Sequence, residues 1–343
     1  MRYIISLLLA STALPAFAEA PRVVTDLPPV HAIAAQVMGD LGQPELLLDR
    51  GANAHSYQLR PSQAAGLAQA GLVIWIGPEM TPWMGRALDS LSADVPRLGL
   101  LAADGTHRQD FGDTGAHDHD DHATEAKADD HAGHDHDDHA TEAKADDHAG
   151  HGHDDHATEA KADDHAGHDH SGLDPHAWLD PANAQLWAGL IAAELSRLDP
   201  ENAATYAANA AAAQARIAAM DADLAGLLAP VKDKPFVVYH DAYGYFASHY
   251  GLTVAGSVSL GDASSPGAAR LRELSQKVAA DNALCLFPEA QHDPALVTQM
   301  ADGTNARIGA ALDPSGSTVD PGPGAYDVLM RALATNIAAC LNG

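Results

Sequence analysis

Two stretches of the chain alternate short apolar runs with helical patterns, and this alternation constrains the fold more than any other feature. Strands are predicted at 22–27, 45–49, 72–77 and 95–100, and again at 235–240, 253–258, 283–288 and 307–312. Helices are predicted between them, among others at 29–41, 62–70, 83–91 and 325–341. Strands that alternate with helices of this length predict βαβ units and parallel sheets. We therefore expect an α/β protein with two lobes.

A long alanine-rich segment between the two stretches predicts a helix that joins the lobes. Asp199-Pro200 has the residue types of an N-cap and a first helical position. Four apolar residues follow on one helical face at 3-4-3 spacing: Ile217, Met220, Leu224 and Leu227. A helix that runs from there to Leu228 would be about 45 Å long, which exceeds the size of one small lobe.

A repeated 17-residue unit, HDHDDHATEAKADDHAG, interrupts the first lobe. It begins at His117 and recurs at His134 and, with one change, at His151. Residues 117–170 hold 14 histidines and carry 18 Asp and Glu against 3 Lys, so this stretch alone supplies −15 of the net charge of −28. The unit has no apolar face beyond its alanines, so we expect a disordered His/Asp-rich insertion at 104–172. A chain this acidic is unsuited to nucleic acid or anionic lipid, and a cationic partner fits better.

The first eighteen residues have the pattern of a secretory signal peptide. Arg2 gives a positive start, 4–14 form a short apolar run, and Ala16-Phe17-Ala18 matches a cleavage site. The mature chain then begins at Glu19, where a lipid anchor would need Cys, so we expect a soluble protein exported to the periplasm. We divide the chain into a signal peptide (1–18), an N-terminal lobe with the insertion (19–198), a linker helix (199–231) and a C-terminal lobe (232–343).

The chain has two cysteines, Cys285 and Cys340. In an oxidising compartment an even pair most often forms a disulfide. A two-cysteine metal site is the weaker alternative, because the chain has no further thiol to complete it.

Seven histidines lie outside the repeats, and three of them stand where α/β proteins bind ligands. His240 ends the predicted strand PFVVYH, His55 lies in the loop after the strand at 45–49, and His176 lies in the turn LDPHAWLDP. Ligands of open α/β sheets bind beyond the carboxyl ends of the strands, so a ligand shared by all three would lie in the cleft between the lobes. Imidazole suits Zn²⁺, although each histidine taken singly is as well explained as a hydrogen-bonded loop residue.

Carboxylates flank two of these histidines. Asp241 follows His240, and Asp174 and Asp180 stand on either side of His176. A carboxylate that accepts the second ring N–H of a ligating histidine fixes its tautomer, but Asp-Pro steps also favour turns on their own, and both interpretations stay open. The positions of the remaining four histidines do not indicate ligand binding. His31 is expected on the first turn of a helix, and the other three are expected as solvated residues near element ends: His107, His249 and His292.

Four segments, GANAHSYQLRPSQ, LDPHAWLDPANA, VVYHDAYGYF and LFPEAQ, resemble the zinc-specific periplasmic components of bacterial ABC transporters, the ZnuA-type solute-binding proteins. The resemblance covers nearly the whole mature chain, including the His-rich insertion and the cysteine pair. It implies two (β/α)₄-like lobes with parallel sheets, joined by one long rigid helix, and a metal site in the cleft. The family's zinc-ligating histidines match His55, His176 and His240. Where some members place Glu before the first ligand, this chain has Ala54.

The fourth zinc ligand is left open by the resemblance. Manganese-binding relatives use a carboxylate where this chain has His240, which favours zinc. They also use an Asp in the second lobe, whose region matches Asp313. Water, Asp313 and His31 are the three candidates.

The resemblance and the residues together predict a periplasmic protein that binds Zn²⁺ as a transported ligand. We expect a monomer that is not an enzyme and that delivers zinc to the membrane permease of an ABC transporter. One alternative is a His-rich zinc buffer or storage protein. Another is a zinc hydrolase with water at the fourth position. The hydrolase is disfavoured because no Glu lies next to a candidate ligand and no nucleophile motif accompanies the histidines.

Overall fold

The protein is described by a computed structural model that covers residues 20–91, 95–112, 172–259, 267–280, 283–302 and 304–343. The predicted signal peptide at 1–18 and the repeats at 117–170 lie outside these residues. Within the covered ranges, no helix combines the length and the apolar composition that crossing a bilayer requires.

The first lobe is built on a parallel sheet of four strands in the order β2-β1-β3-β4. The strands are Val23–Thr25 (β1), Glu45–Leu46 (β2), Leu72–Trp75 (β3) and Arg97–Gly99 (β4). Its helices are Pro28–Met38 (α1), Pro61–Ala68 (α2) and Pro82–Ser90 (α3). Each of these helices begins with proline, which presets φ at a position where the missing N–H costs nothing. All four predicted strands form, each shorter than its apolar run.

The second lobe repeats this topology, with four parallel strands in the order β6-β5-β7-β8. The strands are Phe236–His240 (β5), Val254–Ser259 (β6), Cys285–Leu286 (β7) and Arg307–Ile308 (β8). The helices are Gly244–Tyr250 (α6), Ala268–Ala280 (α7), Ala295–Ala301 (α8) and Ala325–Asn342 (α9), numbered after the two helices that join the lobes. A disulfide between Cys285 and Cys340 joins β7 to α9 and confirms the predicted pairing.

The two helices that join the lobes are Pro181–Leu198 (α4) and Ala203–Leu228 (α5). The prediction has Asp199 as the N-cap and Pro200 as the first residue of the second helix; a 3-10 turn at Pro200–Asn202 begins there, and the α-helix itself starts at Ala203. The Asp199 carboxylate accepts hydrogen bonds from the side chains of Asn202 (2.7 Å) and Tyr206 (2.8 Å) instead of capping a backbone N–H. The α-helix is therefore about 39 Å long at 1.5 Å per residue.

One face of α5 holds the lobes together. This face contacts α1 of the first lobe, α9 of the second, and α4. Ile217, Met220 and Leu224 are buried as predicted, whereas Leu227 is 39% exposed and Leu228 takes the place expected for it. These residues belong to a continuous hydrophobic core that extends into both lobes. Each fully buried side chain of this size contributes about 1.5–3 kcal/mol, so separating the lobes is costly.

Hydrogen bonds also cross directly between the lobes, and the first two of them are buried. The Trp178 indole N–H donates to the carbonyl oxygen of Pro314 (2.8 Å), and the Tyr326 hydroxyl donates to the carbonyl oxygen of Trp178 (2.8 Å). The backbone N–H of Gly51 donates to the carbonyl oxygen of Ser317 (2.9 Å). These bonds lie close to the cleft and fix the loops on its two sides against each other.

Part of the predicted insertion at 104–172 packs into the lobe, because Thr106 and Gln109 are buried. The two ends of the remaining insertion are joined at its root. The backbone N–H of Phe111 donates to the carbonyl oxygen of Gly172, and that of Asp174 donates to Gln109, each at 2.9 Å. Asp110 and Leu173 form an antiparallel bridge between them. The insertion therefore leaves and re-enters the lobe at one point, a few residues before His176.

His249 on α6 forms ion pairs with carboxylates of two other elements. Its Nδ1 lies 3.2 Å from Asp180, the N-cap residue of α4, and its Nε2 lies 2.8 Å from Asp221 on α5. The hydrogen bond to Asp180 outweighs partial burial and, together with Asp221, raises the pKa of His249. The expectation of a solvated residue is wrong here, because only 25% of this side chain is exposed.

Loss of His249 is expected to destabilise the protein more in acid than in base. The folded state holds the His249 proton more tightly, so its stabilisation is full below the unfolded pKa of about 6.5 and is lost as pH rises through the raised folded pKa. We expect His249→Gln to lower the free energy of unfolding of the metal-free protein by about 1 kcal/mol at about pH 5.5, and by less at about pH 9. Urea unfolding at both pH values measures this, and an equal loss at both would contradict it.

Candidate metal centre

Three histidines meet at the cleft because each stands where the chain leaves a regular element or enters one. His240 is the last residue of β5, His55 lies in the loop between β2 and α2, and His176 lies in the turn before α4. The His55 loop is held by a hydrogen bond from its own backbone N–H to Asn53 Oδ1 (2.8 Å). His176 and His240 are buried, and His55 is partly buried.

The three imidazoles surround one small space. Their ring centroids lie 5.4 Å apart for His55 and His176, 5.4 Å for His176 and His240, and 6.3 Å for His55 and His240. One ring nitrogen from each lies within 4.8 Å of the other two. The space between them is a cavity of about 10 Å³, close to the volume of one water molecule or ion. Its lining includes, besides the three histidines, Asn53, Met80, Trp178, Gln291 and Ser315.

Asp174 fixes the tautomer of His176. Its Oδ1 accepts from the backbone N–H of His176 (3.0 Å) and from the ring Nδ1–H (2.7 Å). With the proton on Nδ1, the lone pair of Nε2 is available to a metal. In the described part of the chain, this Nε2 is buried and has no hydrogen-bond partner. A buried nitrogen left in this way fits a cation bound at the site.

Glu289 has the same role for His240. Its Oε2 accepts from the ring Nδ1 at 2.6 Å, while the Tyr243 hydroxyl donates to Oε1 at 2.8 Å. The sequence suggested Asp241 as the carboxylate beside this ring, but the residue found there is Glu289, 49 positions along the chain. Two buried carboxylates therefore stand behind two of the three rings, and their negative charge favours a cation in the cavity.

Asp180 does not contact His176, although it flanks His176 in the sequence. It caps α4 by accepting from the backbone N–H of Ala182 (2.8 Å). Its other contacts are with His107, whose Nδ1 lies 2.8 Å away, and with His249. For Asp180 the turn-and-cap interpretation is the correct one, whereas Asp174 is the carboxylate that orients a ring.

Neither protein residue proposed as the fourth ligand joins the histidine group. His31 is buried on α1, and its Nε2 donates to the carbonyl oxygen of Pro44 at 3.1 Å. Burial lowers its pKa. Asp313 is engaged in a turn, where its Oδ2 accepts from the backbone N–H (2.8 Å) and hydroxyl (2.6 Å) of Thr318 and its Oδ1 accepts from the backbone N–H of Ser317 (3.1 Å).

His292 is a second residue that the sequence misplaced among solvated side chains. Its ring stacks on Tyr239 with centroids 4.2 Å apart, and its Nε2 lies 3.6 Å from Glu289 Oε2. His240, Glu289 and His292 thus form a second group of potential ligand atoms, which shares His240 with the first. Because Glu289 accepts a hydrogen bond from His240, this second group orients a ring of the first group.

Replacing Glu289 with Gln is expected to weaken metal binding about 10–100-fold, the usual cost of losing such an orienting partner. An amide can donate or accept, so it no longer fixes the tautomer of His240, and it removes a buried negative charge. Competition with a chelator measures the affinity. Glu194→Gln, a change at a partly buried residue of α4 that pairs with Arg197 away from the cavity, is the matched control, and equal affinities for the two variants would refute the role of Glu289.

The amino-acid sequence matches a known protein family and several of its members. A family model described as "Zinc-uptake complex component A periplasmic" matches residues 23–340. A high-affinity zinc uptake system protein ZnuA of Paracoccus denitrificans is 58% identical over 333 residues, which cover 97% of this chain and 95% of that protein. The ZnuA protein of Brucella suis is 40% identical over 348 residues and covers all of both chains.

Solved structures share the fold at lower identity. A crystal structure of ZnuA has a TM-score of 0.68 at 22% identity and covers 94% of this chain and 99% of its own. FpvC of Pseudomonas aeruginosa in complex with Mn²⁺ has a TM-score of 0.70 at 19% identity and covers 94% and 98%. The fold of this chain is thus shared with these solved structures.

Proposed function

The chain belongs to the ZnuA family of periplasmic zinc-uptake components, and on this premise we propose that it captures Zn²⁺ with His55, His176 and His240. It then delivers the ion to the membrane permease of an ABC transporter. The observation that carries the ligand assignment is the convergence of one nitrogen from each ring on a cavity of ionic size. The transported ion is the ligand of this site, and no chemical step follows its capture.

The donor set supports zinc as the cargo. Neutral imidazoles are borderline-soft ligands that suit Zn²⁺, whereas manganese and magnesium prefer carboxylate and carbonyl oxygen. The two carboxylates beside the cavity, Asp174 and Glu289, accept hydrogen bonds from the ring nitrogens of His176 and His240. The two carboxylates therefore contact the imidazoles and not the cation. They raise the basicity of the ring nitrogens, while the ligands remain imidazoles.

The remaining parts of the proposal concern the chain as a whole. We propose that 1–18 is removed as a signal peptide after Ala18, that the mature protein acts as a monomer, and that the linker comprises 199–231 between lobes at 19–198 and 232–343. The 14 histidines of 117–170 supply further, weaker sites that raise the zinc concentration near the cleft. The competing proposal is a zinc buffer, in which these repeats are the principal site.

Deletion of 117–170 distinguishes transport from buffering. We expect the number of zinc ions bound per chain to fall to one, and the affinity of that one site to change by less than about threefold, which is well under 1.4 kcal/mol. The joined root at Phe111 and Gly172 makes the deletion compatible with the rest of the lobe. Calorimetry gives the stoichiometry, and chelator competition gives the affinity. Loss of tight binding in the deletion variant would support a buffer and overturn the proposed site.

A further inference from the structure

The polar lining of the histidine cavity can be searched for the donor of a fourth bond to the ion. Apart from the histidines, the cavity has three polar side chains, Asn53, Gln291 and Ser315. Asn53 Oδ1 accepts from the backbone N–H of His55. Ser315 Oγ accepts from Gln291 and donates to Asp313. Gln291 is the remaining candidate.

The orientation of the Gln291 amide follows from its neighbours. Its Nε2 lies within hydrogen-bond distance of Asp313 Oδ1 (3.2 Å), Ser315 Oγ (2.8 Å) and Ser317 Oγ, which share its two N–H groups. An ionised carboxylate can only accept, so the nitrogen end of the amide must face Asp313, and the oxygen end faces away from it. Among the described atoms, Gln291 Oε1 accepts no hydrogen bond.

The turn that holds Gln291 is itself rigid. Asp313 accepts from the backbone N–H groups of Ser317 (3.1 Å) and Thr318 (2.8 Å), so the carboxylate is fixed at the opening of the turn. Asp313 does not need to reach the ion to influence it. It holds the Gln291 nitrogen and thereby sets where the amide oxygen lies.

Given the proposed function, on which this step rests, we propose that the amide oxygen of Gln291 is the fourth ligand of the captured ion and that Asp313 positions it. Gln291 lines the cavity and its amide nitrogen is held by Asp313 and two serine hydroxyls, so its oxygen is the atom of this amide that is left to bind the ion. The resulting set of three imidazoles and one amide oxygen is neutral. The two positive charges of the ion are then balanced by the carboxylates of Asp174 and Glu289, which lie behind the rings.

Two substitutions of Gln291 test this assignment in the full-length protein. Gln291→Leu removes the oxygen and is expected to lower zinc affinity about tenfold. With one equivalent of Co²⁺ as a spectroscopic probe, its visible absorption bands are expected to shift because one donor is lost. Gln291→Glu keeps an oxygen donor beside the ion, and it is combined with Asp313→Asn so that two carboxylates do not face each other. This double variant is expected to bind Mn²⁺ about tenfold more tightly than the wild type, because a carboxylate suits manganese.

The controls separate this inference from the function on which it rests. Gln299→Leu, an exposed change on α8, is the matched control and should behave as the wild type. If Gln291→Leu also matches the wild type in zinc affinity and Co²⁺ spectrum, water completes the site and the assignment of Gln291 is wrong. If the wild type itself binds no zinc tightly, or binds it independently of His240, the proposed function fails instead.

Discussion

Replacement of His240 by alanine is expected to weaken the tight binding of zinc by more than about a hundredfold, a larger loss than orienting residues cause. The change removes one of three converging nitrogens, and two imidazoles hold Zn²⁺ poorly without the third. It also leaves Glu289 buried beside the cavity without the ring that it orients. Chelator competition on the purified protein measures the affinity directly.

Two further variants make the His240 result interpretable. His240 is buried at the end of β5, so its loss also affects the stability of the second lobe. His55 is only partly buried and lies in a loop, so His55→Ala should fold normally and lose affinity to a similar extent. His107→Ala removes an exposed histidine outside the cavity and should keep wild-type affinity. Tight binding that survives in both His240→Ala and His55→Ala would refute the three-histidine site.

Removal of the disulfide is expected to cause the largest loss of stability. Cys285 and Cys340 are separated by 55 residues. In the chain-entropy model a loop of that length stabilises the folded state by about 4 kcal/mol. We expect the double variant Cys285→Ala, Cys340→Ala to lose most of this amount, with a small further cost for the space left around the buried Cys285. Urea unfolding of the metal-free protein measures the difference.

The disulfide prediction has an internal control. Reduction of the wild type by a thiol should lower its midpoint of unfolding to that of the double variant, and the same reductant should leave the variant unchanged. Zinc affinity should change little in either case, because neither sulfur belongs to the cavity. A double variant that unfolds at the same urea concentration as the oxidised wild type would contradict the predicted stabilisation.

Much of the architecture can be predicted from the sequence because its signals are local. Apolar runs such as LVIW and FVVYH favour strands, and their alternation with helices implies parallel sheets. The positions of His55, His176 and His240 at element ends follow from the same pattern. The family resemblance then singles out these three from the seven histidines outside the repeats, and their role as zinc ligands stays a prediction.

The parts that could not be predicted depend on contacts between distant residues. Glu289 reaches His240 only because β5 and β7 are neighbours in the sheet, a pairing that no short window of sequence reveals. Asp241 is adjacent to His240 along the chain, but β5 ends at His240, and the carboxylate that accepts from this ring belongs to Glu289. Asp313 matched the region of a ligand in related proteins, yet the hydroxyl and backbone N–H groups of 317–318 occupy its carboxylate.

The start of α5 shows the same limitation on a smaller scale. Asp199-Pro200 has the composition of a helix N-terminus, and a short helical turn does begin there. The Asp199 carboxylate is instead engaged by Tyr206, one of the largest buried side chains. The burial of Tyr206, which the local sequence does not reveal, thus decides that the Asp199 carboxylate accepts from a side chain and not from a backbone N–H of the helix.

The joined root of the insertion has an evolutionary consequence. Because Phe111 and Gly172 are paired at the base, whole 17-residue units can be gained or lost between them by replication slippage without displacing His176. The cost of closing the loop grows only slowly with its length, by about 0.6 kcal/mol per doubling. Under the proposed function, the number of metal ions that the chain can carry and the strength with which its cleft holds one are therefore separately heritable traits. Selection can adjust the first to the metal supply of a habitat while the second stays constant.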